Sequence, residues 1–382
     1  MKVVVVIPTY NERENISKMI DALALEFPKI QNHKMELLVV DDTSPDKTYE
    51  VVQEKTKKYS WVHLLLNPEK KGLGKAYAKG FQYAMDKLGA DYVMEFDGDF
   101  QHRPDEIKKL VAKIDEGFEY VIGSRYIPGG SIPAEWGFSR KFLSVVGNLV
   151  ARIGLLMPQV HDLTTGFKLT KVKGVLDKVP LDHLYSNSFA YKVHVLADCV
   201  NRGAKVAEVP ITFMARTSGE SKIIKNEMLE TLKVIFLFQI HNPKILRFIK
   251  FGVVGFTGFI VNYVGLEILK KIGLSTYLAT LFATEAAIIS NFIFNNIWTF
   301  KDKTITKIGD IIPQFIKFNV TSLFAVIVQP LIVTLATNIF SDTAVVRLGG
   351  LVSALVIVMI YNYTVYNFFI WKTWKLPWAK KQ

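Results

Sequence analysis

Between residues 244 and 382 the chain carries long apolar stretches, about Phe248 to Leu269, Leu274 to Trp298, Phe315 to Phe340 and Ala344 to Trp371. No other feature limits the fold so severely. In a hydrocarbon layer roughly 30 Å thick each backbone N–H and C=O must be satisfied inside its own segment, so these stretches are expected to be helices. At about 1.5 Å per residue each is long enough to span. Lys and Arg gather on one side of them: Lys244, Arg247 and Lys250, then Lys301, Lys303, Lys307 and Lys317, then Lys372, Lys375, Lys380 and Lys381. The other side has only Lys270, Lys271 and Arg347. The positive-inside rule then places both termini, and the half that precedes residue 241, in the cytoplasm. Glu285, inside the second stretch, is costly in lipid and is expected to face another helix.

This half also reads as repeated. FIKFGVVGFTG (Phe248 to Gly258) recurs as FIKFNVTSLFA (Phe315 to Ala325), and NFIFNNIWTFK (Asn291 to Lys301) is echoed by NYTVYNFFIWK (Asn362 to Lys372). Two copies of a helical hairpin account for this, as do aromatic belts and basic flanks arising separately at one membrane face.

Before residue 241 charge is dense and the pattern alternates. Lys2 to Ile7 is a continuous β-branched run of the kind buried on both faces of a parallel sheet; a helical pattern follows to about Phe27. Further strands are expected at Glu36 to Val40, Val62 to Leu66, Asp91 to Phe96 and Tyr120 to Gly123. A helix is expected to run to Tyr59, with Ser44 as N-cap and Pro45 its first residue, and another from Lys75 to Leu88. Such alternation predicts an α/β domain whose ligands sit at the carboxyl ends of the strands. Polar clusters occupy those ends: Tyr10 and Glu12, Asp41 and Asp42, Asp97 and Asp99, Ser124 and Arg125.

Asp97-Gly98-Asp99 is the sharpest of these. If the extended path of the preceding strand continues, both carboxylates point the same way, with Gln101 next in register, and hard oxygen donors suit Mg²⁺ or Mn²⁺. A solvated Asp-Gly turn is the plainer alternative. The net charge of +12 comes without a basic helix interleaved with stacking aromatics, so an anionic membrane face or phosphorylated substrates are expected partners and nucleic acid is not. The single Cys199 rules out an internal disulfide and a Cys-based zinc cluster. Val3 to Ile7 is too short for a targeting core and runs into Pro8, so no signal peptide is expected. The first strand-to-helix turn lacks G-x-G-x-x-G, and Gly74-Lys75-Ala76 lacks the spacing and hydroxyl of a P-loop, which disfavours hydride chemistry and ATP hydrolysis.

The ordered set IPTYNERENI (Ile7 to Ile16), VVDDTSPDKT (Val39 to Thr48), GLGKAY (Gly72 to Tyr77), DGDFQHRPDEI (Asp97 to Ile107), GSRY (Gly123 to Tyr126), DLTTGFK (Asp162 to Lys168) and GESK (Gly219 to Lys222) resembles glycosyltransferase family 2. Within it the likeness is to the polyprenyl-phosphate sugar synthases of the dolichyl-phosphate mannose type. Gly98 stands where the family often has Ala, and no Q-x-x-R-W signature is present, which favours transfer of a single sugar. The opening F-x-K-F-x-x-V-G (Phe248 to Gly255) resembles the GtrA-like membrane domain.

The resemblance implies a GT-A, Rossmann-like catalytic domain over 1–222, an amphipathic interface helix over 223–243 and a four-helix transmembrane domain over 244–382 in a prokaryotic cell membrane. Pro8, Tyr10, Glu12, Val39 and Asp41 would cradle the donor's base and ribose, although Asp41 and Asp42 also read as plain loop carboxylates. Asp97, Gly98 and Asp99 would border the donor, and Asp97, Asp99 and Gln101 would hold the metal that bridges its diphosphate. Arg125, Arg216 and Lys222 would add phosphate contacts. A loop over 129–140 leads into a helix near Ser139, and there Ser139 and Arg140, with Arg125, are assigned the acceptor phosphate. The apolar face of Phe142 to Leu156 fits either core packing or a helix skimming the membrane; His161 is not expected to act as a base. The implied reaction is inverting transfer of mannose from GDP-mannose to dolichyl or another polyprenyl phosphate. UDP-glucose as donor is the alternative within the class, and a lipid-linked sugar flippase with a nucleotide-sensing soluble half the alternative outside it. No protein partner is implied.

Overall fold

The β-branched run at the start of the chain forms β1 (Lys2–Thr9), buried on both faces because successive side chains serve opposite layers. Val4 and Val6 join one core with Leu38 and Val40, while Val3, Val5 and Ile7 join the other with Leu37 and Val39. The computed structural model describes residues 1–215, 227–341 and 343–374. The chain divides into two units, Met1–Gln239 and Ile240–Gln382.

In the first unit β1 is followed by α1 (Arg13–Glu26), β2 (Lys34–Asp41), α2 (Thr48–Lys58), β3 (Val62–Leu66), α3 (Leu73–Asp86), β4 (Tyr92–Glu95), α4 (Ile107–Asp115) and β5 (Tyr120–Ser124). Then come α5 (Phe138–Gly154), β6 (Lys168–Lys171), α6 (Tyr191–Asn201), β7 (Val206–Pro210) and α7 (Glu227–Ile240). The sheet order is β3-β2-β1-β4-β6-β5-β7; β6 is antiparallel to both its neighbours and every other pairing is parallel. Neither β6 nor β7 is apparent in the sequence. β6 is four residues long and begins and ends in lysine, so it lacks a readable apolar period.

The order reverses at β1, which lies between β2 and β4, and the crevice beyond the carboxyl ends of these strands is where such sheets take ligands. Two expectations at this edge are corrected. Helix α2 starts at Thr48, not Pro45, because the Ser44 hydroxyl and N–H are both taken by Asp41, and Asp46 caps Thr48 instead. Strand β4 stops at Glu95, and Phe100 is left-handed at φ 60°, so Asp97 and Asp99 lie in a turn rather than on an extended strand. Helix α5 and helix α7 meet where Gly154 allows close approach to Ile235, and both leave apolar side chains exposed: Phe142, Leu149 and Ile153 on α5, Leu229 and Phe236 on α7.

The second unit consists of α8 (Pro243–Lys271), α9 (Thr276–Phe294), α10 (Ile308–Phe340) and α11 (Ala344–Val365), with α8 packed on α9 and α10 on α11. Among the described residues two segments, Pro243–Lys271 and Val352–Ile370, are long and apolar enough to cross a membrane. Helices α9 and α11 both end in a wide turn, over Asn295–Thr299 and Tyr366–Ile370, closed by Phe300 N–H on the Asn295 carbonyl and Trp371 N–H on that of Tyr366. These turns sit at matching positions of the echoed segments. The matching residues Phe300 and Trp371 stack on each other, centroids 4.2 Å apart and planes 5° from parallel. The edge contacts Phe248–Tyr363 (5.0 Å) and Phe315–Phe292 (5.2 Å) likewise exchange matched partners. Asn296 Oδ1 accepts from Trp371 Nε1 at 3.0 Å and from Ile305 N–H at 2.8 Å, which satisfies the amide inside this aromatic cluster.

Glycines of two kinds test the packing of the first unit. A Cβ on Gly80 of α3 would lie 2.6 Å from Val6 Cγ1 and 2.9 Å from Val40 Cγ2, whereas one on Gly147 of α5 meets nothing within 4 Å. Gly147→Ala should therefore raise stability by up to ~1 kcal/mol through helix propensity. Gly80→Ala should lower it despite the same propensity gain, since overpacking costs ~1–3 kcal/mol. Thermal unfolding of the detergent-solubilised chain should give opposite shifts, and two upward shifts would mean that α3 does not lie so close to the sheet.

Candidate active site

The crevice is assembled from the loops after β1, β2 and β4. Asp41, at the end of β2, is fully buried, and its oxygens accept from Thr9 Oγ1 (2.8 Å), Ser44 Oγ (2.7 Å) and Ser44 N–H (2.8 Å). Asn11 N–H donates to Ser44 Oγ and Glu12 N–H to Thr48 Oγ1, which ties the β1 loop to the β2 loop. Lys70 Nζ stands 3.6 Å over the Tyr10 ring. Asp42 accepts from Asn67 Nδ2 at 2.7 Å, and burial pushes its carboxyl above the usual range. Pro8 is the next-to-last residue of β1, and Val39 has its side chain fully enclosed in the core and its main chain in register with both β1 and β3.

Asp97 is held at both oxygens. Tyr77 OH donates to Oδ1 at 3.0 Å, and Lys192 Nζ lies 3.4 Å from Oδ2. Burial alone would raise this carboxyl, but the Lys192 ammonium and the Tyr77 hydroxyl outweigh it and hold Asp97 below the ordinary value. His102 Nε2 is 3.8 Å from the same Oδ2, yet its ring is packed against Phe96, Phe167 and Phe213, and burial pushes it down to about 3, so it is a neutral imidazole. Asp99 Oδ1 accepts from Gln101 N–H at 3.1 Å, and Gln101 joins Met214 through both main chain and side chain.

No three His, Cys, Asp or Glu side chains converge in a metal-holding group among the described residues. The oxygens on offer to a hard cation are those of Asp97, Asp99 and the Gln101 amide, a donor chemistry that suits Mg²⁺ or Mn²⁺. Gly166 opens the space beside them: a Cβ there would collide with Asp97 Oδ2 and Lys192 Nζ.

Arg125, at the end of β5, is less available than its place in the sequence suggests. Its Nε and Nη2 form parallel bonds to Asp162 Oδ2 (2.7 Å) and Oδ1 (2.8 Å), Nη2 also reaches Thr164 Oγ1 (2.9 Å), and its own N–H donates to Asp162 (3.0 Å). Asp162 is fully buried; burial would raise it, and Arg125 holds it low. Glu208 fixes the loop from behind by accepting from the N–H groups of His161 and Asp162, each at 3.0 Å, and His161 Nδ1 lies 2.7 Å from the same carboxylate, a structural place for that histidine. Ser139 and Arg140 are exposed on the first turn of α5, and the Arg140 guanidinium stacks 4.1 Å over Trp136. Arg216 and Lys222 lie outside the described residues.

Sequence reasoning missed Tyr77, Glu95, Asp162 as the partner of Arg125, Lys168 and Lys192. The last left a trace, a lysine inside the apolar run Phe189 to Val200, where an ionised side chain survives only if paired.

Breaking the buried ion pair tests how Arg125 is used. Asp162→Asn should cost ~3–5 kcal/mol of folding stability, because the guanidinium is left buried without its counter-charge. Replacing both partners together, Arg125→Met with Asp162→Leu, should cost clearly less. Denaturant unfolding of the three proteins measures this, and a double replacement as costly as Asp162→Asn would show that the pair is not what fixes the loop.

Comparison with known proteins follows the same division of the chain. Residues 4–176 match the model of Glycosyl transferase family 2, and residues 250–371 match the GtrA/DPMS transmembrane domain. A dolichol-phosphate mannosyltransferase of Pyrococcus furiosus is 36% identical over 332 residues, 86% of this chain and 89% of that one. A polyprenol monophosphomannose synthase of Mycolicibacterium smegmatis is 34% identical over 60% of this chain and 84% of its own. An undecaprenyl-phosphate mannosyltransferase of Micrococcus luteus is 34% identical over 58% and 88%. With a GT-A-like, mostly parallel sheet carrying its polar loops at one edge, and helices of the membrane-domain type after it, this chain belongs to glycosyltransferase family 2 as a glycosyltransferase with a GtrA/DPMS transmembrane domain.

Proposed function

We propose that the chain transfers one mannosyl residue from GDP-mannose to a polyprenyl phosphate, such as dolichyl phosphate, with inversion at the anomeric carbon. The observation that carries this reading is the likeness, over 86% of the chain, to a relative named dolichol-phosphate mannosyltransferase. The site agrees with it: anion-binding and carboxylate groups share one edge of the sheet, and a transmembrane domain follows.

The acceptor phosphate is already anionic, so its oxygen attacks the anomeric carbon from the face opposite the diphosphate. The new bond is C1 to phosphate oxygen, the broken one C1 to diphosphate oxygen, and GDP leaves with the electron pair. No side chain needs to remove a proton, which fits a site where His102, the histidine beside Asp97, is neutral and enclosed. Catalysis then rests on alignment and on charge placed where the leaving group develops it. Asp97, Asp99 and Gln101 would hold Mg²⁺ or Mn²⁺, which neutralises charge on the diphosphate. Pro8, Tyr10, Glu12, Val39 and Asp41 border the base and ribose, Asp41 through an orientation set by Thr9 and Ser44. Arg125 offers the guanidinium edge that Asp162 leaves over, and Ser139 and Arg140, at a helix start, take the acceptor phosphate. Arg216 and Lys222 are assigned to the diphosphate.

In this reading residues 1–222 are catalytic and 223–243 lie at the interface. The exposed apolar faces of α5 and α7 rest on the bilayer, as expected of helices that skim a membrane. All four of α8 to α11 span, with both termini and the catalytic half in the cytoplasm of a prokaryotic cell. The matched wide turns and exchanged aromatic pairings support descent of the membrane unit from a duplicated hairpin.

Asp99→Asn should leave folding unchanged and reduce transfer by two orders of magnitude or more, because charge is removed where the leaving group needs it; ~3 kcal/mol at the transition state is about a hundredfold. Radiolabelled transfer into the lipid fraction, run beside a thermal melt, measures this. Near-normal turnover at saturating Mg²⁺ or Mn²⁺ would remove Asp99 from the site.

A further inference from the structure

Lys192 belongs to none of the motifs by which the site is read, yet among the described residues it is the lysine that pairs with its first aspartate. It lies in the first turn of α6 with no exposed surface, its Nζ 3.4 Å from Asp97 Oδ2 and 4.2 Å from the centre of the Phe189 ring. From α3, Tyr77 OH holds the other oxygen at 3.0 Å. The two helices thus clamp one carboxylate between them. Gly166 makes the clamp possible, since any side chain there would strike both Lys192 Nζ and Asp97 Oδ2.

The backbone that carries Lys192 is itself fixed. Lys168 Nζ, also fully buried, donates to the Lys192 carbonyl at 3.1 Å and to that of Leu163 at 2.9 Å, joining α6 to the loop that holds Asp162. Glu95 stands opposite Lys168 in the β4–β6 register, and Tyr191 OH donates to Glu95 Oε2 at 2.7 Å. Replacing both partners of a buried ion pair by apolar side chains is often neutral for stability or better, so stability by itself gives no reason for an ammonium and carboxylate here. Orientation does: a carboxylate gripped at both oxygens presents one geometry.

We propose that Lys192 is a positioning residue of the transfer reaction, an internal cation that, with Tyr77, fixes the Asp97 carboxylate and offsets its charge so that the site accepts the donor diphosphate. This rests on the reading of Asp97 as a donor-site residue. Lys192 touches no substrate; it acts through Asp97.

The test is calorimetric binding of GDP-mannose, with Mn²⁺ present, to the full-length chain carrying Lys192→Met, Asp97→Asn, both, or Gly166→Ala, with acceptor KM and melting temperature measured on each. Lys192→Met should weaken donor binding about tenfold or more while acceptor KM stays within about twofold, the scale expected when a charged hydrogen-bonding group is taken away from a buried site. In the Asp97→Asn background it should have almost no further effect, because its partner is gone. Gly166→Ala, which alters neither charge but separates the two groups, should reproduce the loss. Should Lys192→Met alone fail to fold, the double variant, which leaves no unpaired ammonium or carboxylate at this position, is compared with Asp97→Asn: equal donor affinity supports the proposal and a further tenfold loss overturns it. Equal losses in both backgrounds, or unchanged donor affinity in a folded Lys192→Met, also overturn it. If Asp97→Asn itself binds donor normally, the donor-site reading falls and takes this proposal with it; if Asp97→Asn binds poorly and Lys192→Met normally, only the positioning role falls.

Discussion

A carboxylate taken out of water must meet a cation or hydrogen-bond donors, and the crevice of this protein is arranged around that requirement. Asp162 meets Arg125, Asp97 meets Lys192 and Tyr77, Asp41 meets Thr9 and Ser44, and Glu95 meets Tyr191 with Lys168 opposite it in the sheet. Apart from Ser44, three residues beyond Asp41, each partner comes from an element distant in sequence. These contacts stiffen the loops of the site against the elements around them. That stiffness serves a reaction in which the acceptor is already a nucleophile and what remains for the protein is geometry and charge.

How far this was legible in the sequence depends on whether a signal was local. β1 to β5 could be read because each is an apolar run with a punctuated end, and the crevice could be read because the polar clusters fall at those ends. β6 could not: Lys168, its first residue, is one of the most deeply buried side chains, and a buried lysine looks like a solvated one until its partners are known. The same failure hid Lys192. Ser44-Pro45 resembles a helix start by composition, but Asp41 competes for the same serine, and a hydrogen bond to a buried carboxylate outweighs a cap. At Asp97 the sequence left an extended path and an Asp-Gly turn both open, and the structure has the turn. Alternation along a strand holds only while the strand continues, and the apolar Phe96 carries the strand pattern one residue past its end at Glu95.

In the helical unit the sequence repeat was plain and its physical content was not. Both echoed segments carry an asparagine followed four residues later by a large aromatic, Asn296 to Phe300 and Asn367 to Trp371, and in both the helix widens by one residue before that aromatic. Widening turns Phe300 and Trp371 to face each other and leaves the amide of Asn296 bonded to the indole N–H. Buried amides of this kind fix register, as a polar group in an apolar setting must find its own partner.

The central claim is that this site moves one mannosyl group onto a lipid phosphate. The measurement that reaches it most directly is mass analysis of a phosphorylated prenol after incubation with the purified chain, Mg²⁺ or Mn²⁺, and GDP-mannose or UDP-glucose supplied separately and in competition. The account predicts a product carrying a single hexose, formed from GDP-mannose in preference to UDP-glucose, with one GDP released per product. A prenyl phosphate that gains no hexose from either donor, while the folded protein binds them, would contradict it.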